Sequence, residues 1–213
     1  MNQVLRVTTS IVGANSVSSA LMEELLDGFR ARGEHFQLVD RDFSKQAIPH
    51  MDEGWLQALA SPEAERNEQQ QAQVDFSDRL IAEVQAADTV VIALPMYNFA
   101  VPSMLKAWVD HIARAGVTFT YTESGPQGLL QNKKVFLITA MGGLHAEGES
   151  DFVRPYMRQI MGFLGMDDVT MITASGLNMG DEARAAGLAA ARTRIQELTG
   201  TVDSHRRRAK EAA

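Results

Sequence analysis

Thr89-Val90-Val91-Ile92-Ala93-Leu94 is the most restrictive stretch of the chain: four of its six residues are β-branched and none is charged. Branching at Cβ favours extended backbone. An unbroken apolar run predicts a strand buried on both faces, not one with a solvated side. Such a strand needs helices above and below it, and the flanking sequence alternates accordingly. Val4 to Thr9 reads as a short buried strand. Met22, Leu25, Leu26 and Phe29 recur at helical spacing, with Gly33 as a stop signal. His35 to Val39 reads as a second strand, followed by a long connection from Asp40 to roughly Pro62. Ser61-Pro62-Glu63 resembles a helix start, and Leu80, Ile81 and Val84 give that helix its apolar face. Leu105, Trp108, Val109 and Ile112 mark the next helix, which Gly116 is suited to end. Val117 to Thr122 alternates at period two, as an extended excursion. Val135–Thr139 and Val169–Ala174 read as strands, Phe152–Leu164 and Asp181–Leu198 as helices.

Strands separated by helices imply parallel pairing through right-handed crossovers. The expected fold class is therefore α/β, a doubly wound five-stranded parallel sheet with helices on both faces, flavodoxin-like or Rossmann-like. With 213 residues, no internal repeat and no low-complexity linker, one domain over residues 1–200 is expected, followed by a basic tail over 201–213. His205-Arg206-Arg207-Arg208 and Lys210 read as a solvated end and not as a phosphate patch. No apolar run approaches the ~20 residues of a bilayer span. MNQVLRVTTS does not look like a signal peptide, so a cytoplasmic location is expected. A net charge of −7 argues against general nucleic-acid binding. Cysteine is absent, which removes disulfides, thiolate nucleophiles and iron–sulfur ligation together. Any redox chemistry here must use a borrowed redox group.

In a doubly wound sheet the ligand sits beyond the carboxyl ends of the strands, at the switch point. Three loops reach that edge: Ser10–Ser19, Pro95–Ser103 and Ala140–Ser150. The first has neither GxGxxG nor GxxxxGK[ST]. It is hydroxyl-rich and opens a helix, so it either holds a phosphate on backbone N–H groups and hydroxyls or merely caps the helix. The second, Met96-Tyr97-Asn98-Phe99 between Pro95 and Pro102, places bulky packing groups around one amide. That suits a flat aromatic ligand needing apolar faces and a few edge hydrogen bonds; ordinary core packing is the alternative. The third carries Gly142-Gly143 and then His145. Paired glycines let backbone approach a ligand closely, or simply make a turn. Taken jointly, the three loops favour a flavin mononucleotide (FMN) site.

Pro95-Met96-Tyr97-Asn98-Phe99, Ala113-Arg114-Ala115-Gly116-Val117-Thr118-Phe119 and Tyr121-Thr122-Glu123-Ser124-Gly125-Pro126 resemble the FMN-dependent NADH-azoreductases, also described as NAD(P)H:quinone oxidoreductases. The resemblance covers nearly the whole chain and implies a flavodoxin-like fold and a homodimer with sites at the subunit interface. It assigns Ser10, Ser16, Val17 and Ser18 to the FMN phosphate. Met96, Tyr97, Asn98 and Phe99 would frame the flavin ring, and Thr139, Ala140, Met141, Gly142 and Gly143 would face its pyrimidine side. Tyr121 and Phe163 would border the substrate pocket of one subunit or the other. Ser16-Val17-Ser18 stands where the family often has Ser-Gln-Ser, and Ala140-Met141-Gly142-Gly143 where it commonly has Ser-Arg-Gly-Gly.

The activity this implies is hydride transfer from NADH or NADPH to quinones, and reductive cleavage of azo aromatics to amines, by a ping-pong mechanism. No protein nucleophile or metal is required. His145 is a proton-donor candidate only. Two rivals stand beside this reading: a flavodoxin-type electron carrier without its own substrate pocket, and a catalytically silent redox-sensing dimer. The long Asp40–Pro62 connection and the Val117–Asn132 excursion, both able to wall a pocket, speak against the carrier.

Overall fold

Side chains alternate across a strand, so a run buried on both sides must serve two cores. The computed structural model, which describes residues 2–200, shows this directly in β3 (Thr89–Pro95). Val90, Ile92 and Leu94 pack into one core, while Val91 and Ala93 pack into the other. β3 is the middle of a five-stranded parallel sheet with β1 (Asn2–Thr8), β2 (Phe36–Asp42), β6 (Lys134–Ala140) and β7 (Asp168–Ala174), in the order β2-β1-β3-β6-β7. One face carries α1 (Val17–Ala31) and α6 (Asp181–Thr199), whose Leu21, Leu25, Phe29, Ala191 and Ile195 are buried. The other carries α3 (Glu68–Ala86), α4 (Ser103–Ile112) and α5 (Val153–Leu164), with Leu80, Trp108, Met157 and Met161 at its centre. The expected flavodoxin-like α/β class is the observed one, and the switch point lies between β1 and β3. The basic tail lies outside the described residues.

The expected elements differ from the observed ones at three places. The helix expected from Ser61 starts at Glu68 instead. Asn67 accepts from the Gln70 amide at 2.9 Å and Gln70 Oε1 accepts from the Asn67 amide at 3.0 Å, a reciprocal cap that Ser61 lacks. The Ser61 hydroxyl donates back to Gln57 O at 2.8 Å and so closes a further helix, α2 (Glu53–Ala60), inside the supposed loop. The Val117 excursion is half of a hairpin, β4 (Phe119–Thr122) with β5 (Gly125–Gly128). Its docking on α5 depends on glycine: a Cβ on Gly128 would lie 2.0 Å from the Gly165 nitrogen. Finally, α4 ends at Ile112, with Gly116 (φ 76°) in the turn beyond.

The α2 segment is held to the body by a buried polar chain. Pro49 offers only a carbonyl, so His111 Nε2 must carry the proton donated to it at 2.9 Å. His111 Nδ1 therefore accepts from the Ser77 hydroxyl at 2.9 Å, and Ser77 Oγ accepts from Trp55 Nε1 at 3.1 Å. The Trp55 and Phe76 rings meet the imidazole edge-on at 4.5 and 5.2 Å. Burial holds the His111 pKa below its ordinary value of 6.5, against the opposing pull of the Pro49 hydrogen bond and of Asp110. Native His111 is thus neutral, and the unfolded chain takes up its proton first as pH falls. The stabilisation is present above the unfolded value of about 6.5 and is lost progressively as pH falls below it towards the lowered pKa of the folded state. The unfolding midpoint of the wild type should fall more steeply between about pH 7.5 and 5.5 than that of His111→Gln, which keeps a donor and an acceptor without titrating. Parallel melting curves against pH for the two proteins would refute this.

Candidate functional site

Three loops leave the carboxyl edge of the sheet, and the ladder continues briefly into each. Thr9 N–H bonds Ala93 O at 3.1 Å, Met96 N–H bonds Ala140 O at 2.9 Å, and Met141 N–H bonds Ala174 O at 2.8 Å. Past Met96 the chain makes a tight two-residue turn. Tyr97 and Ala100 exchange both backbone hydrogen bonds at 3.0 Å, and Asn98 (φ 50°) and Phe99 (φ 69°) occupy the left-handed region. Two positive φ values are what this reversal demands. Asparagine tolerates that conformation; phenylalanine pays a steric penalty there. Strain held in place by its surroundings is a feature of functional sites.

A depression of about 300 Å³ opens beside the turn, lined by Met96, Asn98, Phe99, Gly142, Gly143, His145 and Asn178. A second, of about 690 Å³, shares Met96 and Asn98 and adds Ile11, Tyr97, Val101 and Ser103. No lysine or arginine lines either one. A third, of about 700 Å³, lies at the opposite end of the sheet among Gln127, Gln131, Asn132 and Lys133 and contains none of the loop residues. The Asn98 side chain and the N–H groups of Asn98, Gly142 and Gly143 make no hydrogen bond to the described residues. All three residues line the 300 Å³ depression. Such groups are ready-made donors for a ligand edge.

The hydroxyls of the first loop are engaged within the protein. Ser16 caps α1, accepting from the Ser19 amide at 3.1 Å, and its hydroxyl donates to Ser19 Oγ at 2.8 Å. Ser18 is wholly buried, its hydroxyl 3.3 Å from Ser16 Oγ. Ser10 is also buried and bonds the Tyr97 hydroxyl at 3.1 Å. That phenol ties the first loop to the second. What the loop leaves unpaired is the pair of first-turn amides, of half-buried Val17 and buried Ser18, which lack an acceptor because a helix cannot supply one there.

Of the segment Thr139 to Gly143, only the glycines line the depression. Thr139 donates its hydroxyl to Thr173 Oγ1 at 2.9 Å between β6 and β7. Ala140 and Met141 are buried in opposite cores. The arginine position of the resemblance is therefore a core position in this chain. Tyr121 and Phe163 both pack on Phe119, at 5.6 and 4.4 Å, and line neither depression. Sequence reasoning missed Asn178. The loop after β7 runs alongside the glycines, with Gly176 N–H on Gly143 O at 3.0 Å and Asn178 N–H on Gly142 O at 2.9 Å. A Cβ on Gly142 would meet Asn178 Nδ2 at 2.7 Å. The carboxyl-edge rule that selected three loops applies equally to this fourth one.

The chain matches the family described as a flavodoxin-like fold over residues 2–199. It is 45% identical over 196 residues to a protein of Alcanivorax borkumensis named FMN-dependent NADH:quinone oxidoreductase, covering 92% of this chain and 99% of that one. A protein of the same name from Vibrio vulnificus is 44% identical over 199 residues, covering 93% and 100%. The crystal structure of an azoreductase from Bacillus anthracis superposes with a TM-score of 0.86 at 26% identity, covering 94% and 100%.

The strain at Phe99 has a measurable sign. Alanine keeps the left-handed penalty and glycine removes it, so Phe99→Gly should be more stable than Phe99→Ala by about 1 kcal/mol in urea unfolding without ligand. At an unstrained position the order reverses, and that reversal would show the turn to be relaxed.

Proposed function

This chain belongs to the flavodoxin-like family of FMN-dependent NADH:quinone oxidoreductases, and from that premise we propose that it passes hydride from NADH to quinones and reductively cleaves azo aromatics to amines. The observation that carries the reading is the convergence of Met96, Asn98, Phe99, Gly142, Gly143 and His145 on one depression at the carboxyl edge of the sheet. FMN held there would supply the two-electron hydride chemistry that the side chains themselves lack. The residues fit that group. Met96 and Phe99 offer apolar surface to a flat ring. Asn98, Gly142 and Gly143 offer unpaired donors to its polar edge, where developing negative charge is stabilised by N–H groups.

The phosphate end is held, in this reading, by the Val17 and Ser18 amides at the positive end of α1. Ser10 and Ser16 shape that loop from beneath, and Tyr97 anchors it to the ring site. Thr139, Ala140 and Met141 act through the backbone that aligns the glycines. His145 stands at the rim and is the one titratable side chain lining the ring depression, so it is the candidate for supplying a proton to the acceptor. A second copy of the chain covers the exposed Phe99, Leu144, Phe152 and Tyr121 and completes the substrate pocket with Tyr121 and Phe163. Large apolar side chains 51–73% exposed support this homodimer. No helix among the described residues is long and apolar enough to cross a membrane, in keeping with a cytoplasmic enzyme.

NADH and acceptor take turns over one depression, so FMN-loaded protein should oxidise NADH in the presence of a quinone with parallel double-reciprocal lines. Absence of turnover would favour the electron-carrier or sensor alternatives, and intersecting lines would require two separate substrate sites.

The amide assignment has its own test. Val17 is the first helical residue, where proline is tolerated, and Ser16 already has the extended backbone (φ −83°, ψ 152°) that a following proline requires. Val17→Pro deletes one donor at little cost to folding. It should weaken FMN binding about tenfold or more, the worth of one charge-assisted hydrogen bond, and leave riboflavin binding unchanged. Equal loss for both flavins would place the phosphate elsewhere.

A further inference from the structure

One side chain outside both depressions organises the excursion from Leu144 to Phe152. Arg154 lies in the first turn of α5 with 22% of its side chain exposed. Its three nitrogens face three parts of the excursion. Nε donates to the wholly buried Asp151, Nη1 pairs with Glu147 at 3.2 Å, and Nη2 donates to the His145 carbonyl at 3.1 Å. Asp151 also accepts from the Val153 and Arg154 amides at 2.9 and 3.2 Å, supplying the cap that Phe152 does not. Hydrogen bonds from Arg158 at 2.5 and 3.0 Å hold the Glu147 carboxyl below the usual carboxylate range and steady the middle of the excursion.

Both ends of this excursion touch the strained turn. The His145 ring meets the Phe99 ring edge-on, with centroids 5.7 Å apart, and the Phe152 amide donates to Phe99 O at 3.4 Å. His145 Nδ1 is 3.2 Å from Ser150 Oγ, so the ring is also tied within the excursion. Gly143 is boxed in by the same ring: a Cβ there would lie 2.8 Å from His145 Nε2.

We propose that Arg154 is a positioning residue for this site: its fork fixes the excursion so that His145 and the Gly142–Gly143 amides stand at a set spacing from Phe99. The proposal rests on the reading of that depression as the flavin site. A guanidinium suits the task because its planar, outward-facing donors meet three acceptors in three directions. An ammonium concentrates its charge at one point and cannot span them. Charge and geometry therefore separate experimentally. Arg154→Lys keeps a cation beside buried Asp151 and loses the span, whereas Arg154→Met loses both.

The test compares full-length wild type, Arg154→Lys and Arg154→Met, each with FMN removed and then restored. Arg154→Lys should unfold within about 2 °C of wild type in the FMN-free state, and Arg154→Met clearly lower. Its FMN dissociation constant, read by quenching of flavin fluorescence, should rise about five- to tenfold. The His145 ring resonance of FMN-free Arg154→Lys should shift, since the field of the edge-on Phe99 ring depends on spacing; His145→Gln identifies that resonance among the five histidines. Wild-type FMN affinity with an unmoved His145 resonance would overturn the proposal. So would a lysine variant whose unfolding midpoint falls together with its affinity, because Arg154 would then only stabilise the fold. Failure of the wild type to bind FMN would sink the functional reading, and the His145 resonance would still decide the positioning role on its own.

Discussion

The parallel pairing of β1, β3, β6 and β7 is the constraint on which the rest of the molecule depends. Each strand of a parallel sheet leaves by the same edge, and here the ladder extends past the strand ends through Thr9, Met96 and Met141. These bonds set where each loop begins its turn. Loops distant in sequence emerge side by side because their first residues are still sheet. Thr139 and Thr173 reinforce the same seam with a side-chain bond between β6 and β7.

Two kinds of polar group follow from that frame. Behind the site most buried side-chain polar groups are paired, Trp108 Nε1 and the Tyr156 hydroxyl excepted. The chain from Trp55 through Ser77 and His111 to Pro49 leaves no buried donor or acceptor of its own unmet, which ranks it as structure. Those at the edge are left open: the amides of Val17, Ser18, Asn98, Gly142 and Gly143, next to a phenylalanine held in a left-handed conformation. A fold that leaves donors and strain together at one edge has given up some stability where a ligand can restore it.

Much of the fold was legible because its physics is local. Unbroken apolar runs, helical spacing of leucines and glycine stops each act over a few residues, and they placed the five sheet strands and most helices. The failures were also physical. The α3 start was misread because Ser61-Pro62-Glu63 has a capping hydroxyl and a proline, while the reciprocal pairing of Asn67 and Gln70 is what caps the helix. β5, Gly125-Pro126-Gln127-Gly128, carries no strand-like side chains and exists by pairing with β4 and by lying against α5.

The candidate site divides along the same line. The sequence by itself determined which loops meet, because parallel pairing and right-handed crossovers follow from alternating runs of strand and helix and bring those loops to one edge. It also determined that Met96-Tyr97-Asn98-Phe99 and Gly142-Gly143 belong to that meeting. Only the tertiary structure decided which atoms face the depression. It turned Ser16 into a cap and buried Ser18, put Met141 in the core, brought Asn178 over Gly142, and set Arg154 across the excursion from His145 to Asp151. Those outcomes depend on hydrogen bonds and packing between segments far apart in the chain. A contact of that kind leaves no periodicity or spacing in either segment, so it exists only once the sheet has brought the two together.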